Sequence, residues 1–378
     1  MKNYGRTSIS EFLGDFIVYR NLVPVDSRLP ALPEIGKAIG LARGIIPRKI
    51  DEAYGSVVVE LLKKARSFDE ANSEIKKLVY LGDTTMTDVT AFVNICRVGG
   101  YQGIAFIGAE NGEPPHMKEL QQNGCTICYA NRWALLKEFD ALCRRKDFLP
   151  NTNTAVVADI DKTILGARGR NDLVIDRVRI DAAERVIHEK MSDRFNHHSF
   201  QKAYDTLKRQ EYHSFTSDNQ DYLVYICLAV GSGVLSLDSL LGQIKSGTVK
   251  SFNEFIESVE SRVAALPADM RAIHNNVYEC VRDNDLTPFK VFRLNEFKLT
   301  AERMGCLDDA VPPDEMLKKE IVLTEEVRDF ILSWKLQGTV VFGLSDKTDE
   351  ASLPTGDVSV RGFQPIHHIM THAIGEYE

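Results

Sequence analysis

Short apolar runs that alternate with amphipathic segments constrain the fold of this chain more than any other feature of its sequence. The apolar runs are KKLVYLGD, GIAFIGAEN, CTICYA, TAVVADIDKT and, near the C-terminus, TVVFGLSDK. Segments with apolar residues at helical spacing stand between or before them, namely KIDEAYGSVVVELLKKA, TDVTAFVNICRVGG, WALLKEFDALCRR and EEVRDFILSWKLQG. This alternation predicts an α/β fold, in which a Rossmann-like parallel sheet carries helices on both faces.

The stretch between TAVVADIDKT and TVVFGLSDK differs, because its periodic segments read as helices. They are RVRIDAAERVIHEKM, SFQKAYDTLKRQ, DYLVYICLAV, SFNEFIESVESRVAAL and MRAIHNNVYECVRD. The polar segments LGARGRND and DDAVPPDE, which contain Gly or Pro, mark its ends. We therefore predict an α/β core made of residues 1–163 and 321–378, with a large, mostly helical domain of residues 164–320 inserted into it. The first fifty residues give no clear pattern.

Composition limits the partners and the compartment. The formal net charge of −8 argues against nucleic acid and against an anionic membrane as partners. No stretch approaches the roughly 18 apolar residues of a membrane span, and MKNYGRTSISEFLGDF lacks the apolar core of a signal peptide. The cysteines, 7 in all, are scattered without a framework, as expected of reduced thiols. We expect a cytoplasmic protein.

Carboxylates follow two of the apolar strands, where parallel sheets place their ligands. In VVADIDKT, Asp159 and Asp161 project to the same side if the strand geometry persists. In LVYLGDTTMTD, the strand is followed by Asp83 and Asp88, and Gly82 permits a close approach of the backbone. Adjacent carboxylates repel one another and need a cation or a shared proton. A hard divalent ion such as Mg²⁺ suits these oxygen ligands.

A third strand, VVFGLSDK, ends in Ser345, Asp346 and Lys347. Ser345 can donate a hydrogen bond to a phosphoryl oxygen, and Lys347 can neutralise charge or orient a carboxylate. Acids, a hydroxyl and a cation together suit phosphoryl transfer on a small phosphorylated substrate. The alternative is that Asp83 with Asp88, and likewise Ser345, merely cap helices. Because polar groups end three apolar strands together, the sequence favours the catalytic interpretation.

These three segments resemble signature motifs of the haloacid dehalogenase superfamily. VVADIDKT resembles the first motif, a strand followed by DxDxT; VVFGLS resembles the second, and LVYLGDTTMTD the fourth, GD with a second Asp five positions on. The resemblance implies a magnesium-dependent phosphatase whose helical insertion is a cap over the site. In the usual family DxDxT comes first, whereas here GDTTMTD precedes DIDKT. A circular permutation accounts for the order, since chains tolerate new termini at surface loops.

The resemblance also implies roles for the motif residues. Asp159 would attack phosphorus and form an aspartyl-phosphate. Asp161 would protonate the leaving oxygen and then activate the hydrolytic water. Thr163 would support the loop, and Ser345 would hold the phosphoryl group. Mg²⁺ would be bound by the Asp159 side chain, the Asp161 carbonyl and Asp83, with Asp88 as a further ligand.

The family's third motif is a single lysine or arginine, which the changed motif order makes hard to assign. Lys49 in IPRKIDEAY is the first choice, Lys347 the second, and Lys63 and Lys64 are weaker candidates. An ordinary surface lysine is the alternative for each of them.

Several readings stay open. A phosphotransferase or phosphomutase would use the same nucleophile, and a non-catalytic binding or scaffold protein could keep the same fold. Arg168 and Arg170 could contact the substrate or be solvated loop residues. His367, His368 and His372 have no acidic or cysteine partner at a clear spacing, so the sequence does not predict a metal there. The identity of the substrate and the oligomeric state are not specified by the sequence.

Overall fold

The computed structural model describes residues 1–69, 73–355 and 362–376. Contacts divide the chain into two compact units, one made of Met1–Arg177 with Thr300–Glu378, and the other of Val178–Leu299. The described strands all lie in the first unit, and the described part of the second is helical.

The second unit, Val178–Leu299, contains fewer residues than the predicted insertion of residues 164–320. Residues beyond each of its ends are hydrogen-bonded within the first unit. Gly166 donates its backbone N–H to the carbonyl of Val322 at 2.9 Å, and Gly305 donates to the hydroxyl of Thr371 at 3.0 Å. These bonds involve residues far apart in sequence, which helical periodicity cannot reveal.

The strands described in the first unit are, in chain order, β1 (Lys2–Thr7), β2 (Ile17–Val18), β3 (Lys77–Gly82), β4 (Gln102–Gly108), β5 (Met117–Gln122), β6 (Cys125–Ala130), β7 (Thr154–Asp159), β8 (Leu323–Thr324), β9 (Val340–Leu344) and β10 (Thr371–Gly375). Among the described residues they form a 7-stranded sheet of order β2-β9-β7-β3-β4-β6-β5 and a 3-stranded sheet of order β1-β10-β8. The larger sheet is parallel except for the β5–β6 pair. A mixed α/β fold with a mostly parallel sheet is therefore confirmed.

The α-helices described before the second unit are α1 (Ile9–Leu13), α2 (Leu32–Ile39), α3 (Glu52–Asp69), α4 (Asp88–Gly99) and α5 (Leu136–Arg145). The next helices run through the second unit, with the first and last crossing its ends: α6 (Asp172–Lys190), α7 (His197–Leu207), α8 (His213–Thr216), α9 (Gln220–Gly231), α10 (Leu237–Ser246), α11 (Phe252–Glu260), α12 (Ala268–Arg282) and α13 (Lys290–Glu302). The chain then forms α14 (Pro313–Lys319) and α15 (Glu325–Lys335). Within the described residues, no helix combines the length and apolar character needed to cross a membrane.

The large sheet is covered by helices on both faces, which explains why β3, β4, β6, β7 and β9 are mostly apolar and buried. On one face Tyr80 of β3 packs against Phe92 of α4, with ring centroids 5.9 Å apart. On the other face Phe106 of β4 meets Phe139 of α5 edge to face at 5.4 Å, and Phe139 continues to Phe330 of α15. The two layers hold the central strands rigidly and leave their carboxyl ends to carry polar side chains.

Candidate functional site

The three strands that carry the polar tips are neighbours, in the order β9-β7-β3. Asp159 is the last residue of β7 and pairs in register with Leu344, so Ser345 follows one position beyond it. Ala158 is level with Leu81 of β3, which brings Gly82 and Asp83 to the same edge of the sheet. Adjacent strands lie about 4.8 Å apart, so these residues converge at one carboxyl edge.

Three buried carboxylates meet at this edge. Each of Asp83, Asp88 and Asp159 offers an oxygen, and these oxygens all lie within 4.8 Å of one another. Asp159 is 4% exposed, Asp83 7% and Asp88 1%. Three like charges held this closely in a protein interior repel strongly, so the site requires positive charge or bound protons.

Lys49 supplies positive charge from the segment that precedes α3. Its Nζ is 2.8 Å from Asp88 Oδ1 and also contacts Asp159 Oδ1, and its side chain is only 3% exposed. The weaker candidates lie elsewhere: Lys63 is exposed beside Glu60, and Lys64 is exposed near the ring of Phe68. Lys49, the first choice among the candidate lysines, contacts the proposed nucleophile.

The pKa values show that one lysine does not compensate three acids. Burial, reinforced by the charge of Asp88, raises the pKa of Asp83 to about 8, although Arg168 opposes this shift. Burial also raises the pKa of Asp159 well above its ordinary value, against the opposing charge of Lys49. The pKa of Asp88 is lowered, because Lys49 and the hydrogen bonds from Lys49 and Thr84 outweigh its burial. The cluster therefore favours uptake of a proton or a cation.

Asp88 has a second role in shaping the loop after β3. Its Oδ2 accepts hydrogen bonds from the backbone N–H groups of Asp83 at 3.2 Å and Thr84 at 3.0 Å, and from the Thr84 hydroxyl at 2.7 Å. A Cβ on Gly82 would lie 2.8 Å from the Asp88 Cβ, so a glycine is needed there. Asp88 is the first residue of α4 and ties this loop, while Thr87 at the N-cap makes no capping hydrogen bond. Asp88 therefore does more than cap a helix, because its carboxylate also holds the loop after β3 and contacts Lys49.

Asp161 does not continue the strand, which corrects the expectation from strand alternation. β7 ends at Asp159, and Lys162 adopts a left-handed φ of 66° that turns the chain directly after Asp161. The Asp161 carboxylate lies outside the group of three buried acids, and its Oδ1 is 4.0 Å from Lys347 Nζ. Lys347 is therefore placed beside Asp161, at the end of the same edge.

Thr163 and Ser345 are both buried near these strand ends. The carbonyl of Thr163 accepts a 2.6 Å hydrogen bond from the hydroxyl of Thr324, which fixes the loop, while its own Oγ1 has no partner among the described residues. The Oγ of Ser345 accepts from the backbone N–H of Lys347 at 3.0 Å, so it stabilises a turn and caps no helix. The backbone N–H of Ser345 donates to the carbonyl of Val18 at 3.0 Å.

The two arginines after the DIDKT segment have different environments. Arg168 is half-buried and its Nε contacts Asp83 Oδ2, so a cationic group already lies against the acidic cluster. Arg170 is 2% exposed and bridges Glu110 at 2.7 Å and Glu326 at 2.8 Å. The reading of Arg170 as a solvated loop residue is therefore wrong, because it forms buried ion pairs; a substrate contact at Arg170 stays a prediction.

Sequence reasoning missed one polar contact of the cluster. The hydroxyl of Tyr80 donates to Asp88 Oδ1 at 3.0 Å. Tyr80 lies inside an apolar strand and would ordinarily be counted as core, but it lies two residues before Gly82 and so points to the same face. That parity is the signal that could have found it.

Comparison of the chain with protein-family models, curated proteins and solved structures finds no match.

Proposed function

We propose that this protein is a magnesium-dependent phosphatase that hydrolyses a phosphate monoester through an aspartyl-phosphate on Asp159. One observation carries the proposal. Asp159 ends the central strand of three, and its carboxylate is held with those of Asp83 and Asp88 against the buried Lys49. Phosphoryl transfer depends mainly on positioning and charge stabilisation, and this cluster supplies both.

The residues at the strand ends fit a hard divalent cation. The donors are carboxylate oxygens within 4.8 Å of one another, and burial with the charge of Asp88 raises the pKa of Asp83 even though Arg168 contacts it. Oxygen-only donor sets suit Mg²⁺ rather than softer metals. Asp83, Asp159 and the Asp161 carbonyl would hold the ion, with Asp88 as a further carboxylate. Bound there, Mg²⁺ would neutralise charge on the phosphoryl group.

The chain's own residues then divide the reaction into two steps. A carboxylate oxygen of Asp159 attacks phosphorus, the bond to the leaving oxygen breaks, and Asp161 gives that oxygen its proton. Asp161 next takes a proton from water, whose oxygen attacks phosphorus, so that inorganic phosphate leaves and Asp159 is restored. Lys49 favours the ionised form of Asp159 against its burial and holds the carboxylate in place. Ser345 and Lys347 would bind phosphoryl oxygens or orient Asp161.

We also propose membership of the haloacid dehalogenase-like hydrolases, in permuted order. The strand order supports this, because the DxDxT strand lies between the strand ending in Ser345 and the strand ending in Gly82 and Asp83. In the sequence the second unit, Val178–Leu299, comes after β7 and before β9, and it would serve as the cap. A cap that closes over a site excludes water and strengthens its electrostatics.

The test is hydrolysis of a generic aryl phosphate and of a panel of phosphorylated metabolites, with and without Mg²⁺. We expect release of inorganic phosphate that depends on Mg²⁺ and is lost in Asp159→Asn. Transfer of the phosphoryl group to a second metabolite in place of water would identify a phosphotransferase or mutase. Equal rates for the wild type and Asp159→Asn, or no turnover of any phosphate ester, would identify a binding or scaffold protein.

A further inference from the structure

We propose a second metal site in the first unit, formed by Asp15, His367 and His368, that binds a zinc-class transition metal ion. One ligand atom from each of these residues lies within 4.8 Å of the other two. His368 Nε2 is 3.0 Å from Asp15 Oδ1, and His367 Nε2 is 3.7 Å from the same oxygen. The site is independent of the proposed phosphatase activity.

The separations match those of a tetrahedral site. Zinc bonds of about 2.0–2.1 Å to nitrogen and oxygen place neighbouring ligand atoms about 3.3 Å apart. The two distances to Asp15 Oδ1, 3.0 and 3.7 Å, bracket that value. The rings of His367 and His368 have centroids 4.2 Å apart and are inclined by 65°, so the imidazoles do not stack and both can turn a nitrogen toward one point. A fourth position would be left for water or another ligand.

His367 supplies an independent observation. Its side chain is 0% exposed, yet Nε2 has no hydrogen-bond partner among the described residues. Its other nitrogen, Nδ1, shares a 3.0 Å hydrogen bond with the hydroxyl of the buried Tyr19. Metal-binding histidines characteristically use their second nitrogen in this way, which fixes the ring and leaves the first nitrogen for the ion. A buried imidazole nitrogen that faces a carboxylate beyond hydrogen-bond distance is accounted for by a cation between them.

The nearby His372 shows the contrasting case. Its Nδ1 is 2.7 Å from Glu320 and its Nε2 is 3.0 Å from Asp309, so both nitrogens are engaged by carboxylates. His372 therefore has no nitrogen left for a metal. The site also differs in chemistry and place from the acidic cluster at the sheet edge. It offers two nitrogens and one oxygen, a set that favours zinc over magnesium, and Asp15 lies two residues before the edge strand β2, which β9 separates from β7 and Asp159.

The experiment titrates the full chain with Zn²⁺ against a competing chromophoric chelator, in millimolar Mg²⁺ so that the oxygen-donor cluster is saturated. We expect one Zn²⁺ per chain. Co²⁺ in place of Zn²⁺ should give the intense visible absorption of a tetrahedral site, which oxygen-ligated octahedral Co²⁺ lacks. His368→Ala and Asp15→Ala should each weaken binding by at least about 100-fold, since each removes a direct ligand. Tyr19→Phe should weaken it by about 10-fold through the lost ring orientation.

The matched control is His198→Ala, which removes one member of the exposed pair His197–His198. It should leave Zn²⁺ affinity unchanged, and circular dichroism should show that His368→Ala keeps the native fold. The proposal is overturned if the chain binds no Zn²⁺ above background, or if His198→Ala and His368→Ala weaken binding equally. Phosphatase assays play no part in these outcomes, so a failure here is separate from a failure of the proposed function.

Discussion

Each unit of the molecule buries a cluster of charged side chains, and the two clusters are built differently. In the second unit Arg293 donates to Asp221 at 2.7 Å and to Glu296 at 2.7 Å, and Arg179 lies 3.5 Å from Glu296. The backbone N–H of Phe289 adds a 3.0 Å hydrogen bond to Asp221. In that cluster each carboxylate faces a guanidinium, whose fork of donors satisfies acids in two directions.

The cluster in the first unit has an excess of acid. Lys49 is the buried cation among Asp83, Asp88 and Asp159, and the half-buried Arg168 contacts only Asp83. A lysine ammonium is a compact charge and cannot match three carboxylates. The two clusters therefore differ in charge balance, and under the proposed function the excess of acid in the first unit is where Mg²⁺ would bind. Perturbed, incompletely paired acids are characteristic of functional sites.

The largest expected effect is on catalysis, from Asp159→Asn compared with Asp221→Asn. Asp159→Asn removes the proposed nucleophile, so phosphatase activity should fall on the order of 10⁴-fold. Its thermal midpoint should stay the same or rise, because one of three repelling charges is gone. Asp221→Asn should instead lower the midpoint, since it leaves Arg293 partly unpaired. Activity assays and calorimetry on both variants check this; a lower midpoint in Asp159→Asn than in Asp221→Asn would contradict the distinction.

Removal of the buried cation, Lys49 in the first unit or Arg293 in the second, should lower the free energy of unfolding in either case. Lys49→Met and Arg293→Met each leave buried carboxylates uncompensated, and we expect about 3–5 kcal/mol of lost unfolding free energy. Saturating Mg²⁺ should recover part of the loss in Lys49→Met, because the ion replaces the missing charge. In Arg293→Met the acidic cluster is intact, so Mg²⁺ should add only the increment that it adds to the wild-type chain. Urea unfolding of the wild type and both variants with and without Mg²⁺ measures these increments, and an increment in Lys49→Met no larger than in the wild type would count against a metal site at Asp159.

Mg²⁺ itself should stabilise the native chain by mass action. A ligand at 100 times its Kd raises the unfolding free energy by about 2.7 kcal/mol if only the folded form binds it. Asp83→Asn should abolish this increment, whereas Glu296→Gln, a matched acid in the other cluster, should retain it. Thermal unfolding across a Mg²⁺ series measures both. If the increment survives in Asp83→Asn, Asp83 is not a ligand.

The smallest expected effect comes from Arg168→Gln. Because Arg168 is half-exposed, its ion pair with Asp83 should contribute less than about 1 kcal/mol to stability. Its guanidinium competes with a metal for Asp83, so the Kd for Mg²⁺ should tighten several-fold when it is removed. Calorimetric titration with Mg²⁺ measures the change, with Arg179→Gln as the arginine control in the second unit. Weaker binding in Arg168→Gln would show that the arginine helps the ion to bind.

Much of the first unit could be predicted from local pattern. The apolar strands β3, β4, β6, β7 and β9 and their flanking helices follow the sequence signals closely, because both faces of these strands are buried. β5 was missed, since MKELQQ is an exposed edge strand with no apolar alternation. β2 was also missed, because a strand of only two residues is too short to show a hydrophobic periodicity.

The candidate sites differ in how far the sequence revealed them. The positions of Asp159, Asp83 and Ser345 could be predicted, because each stands at the carboxyl end of an apolar strand. Lys49 could be ranked first among lysines, yet nothing local distinguishes it from Lys63. The pairing of Asp15 with His368 joins residues separated by 353 positions in the chain and leaves no local signal.

The sequence by itself determined the buried strands of the large sheet, their flanking helices and the polar side chains at three strand ends, because hydrophobic periodicity and strand termini are local properties. Only the tertiary structure decided the strand order, the burial of Lys49 between Asp88 and Asp159, and the meeting of Asp15 with His367 and His368. The physical reason is that charge pairing and ligand geometry depend on distances of a few ångströms between residues far apart in the chain. Packing of the whole unit fixes those distances.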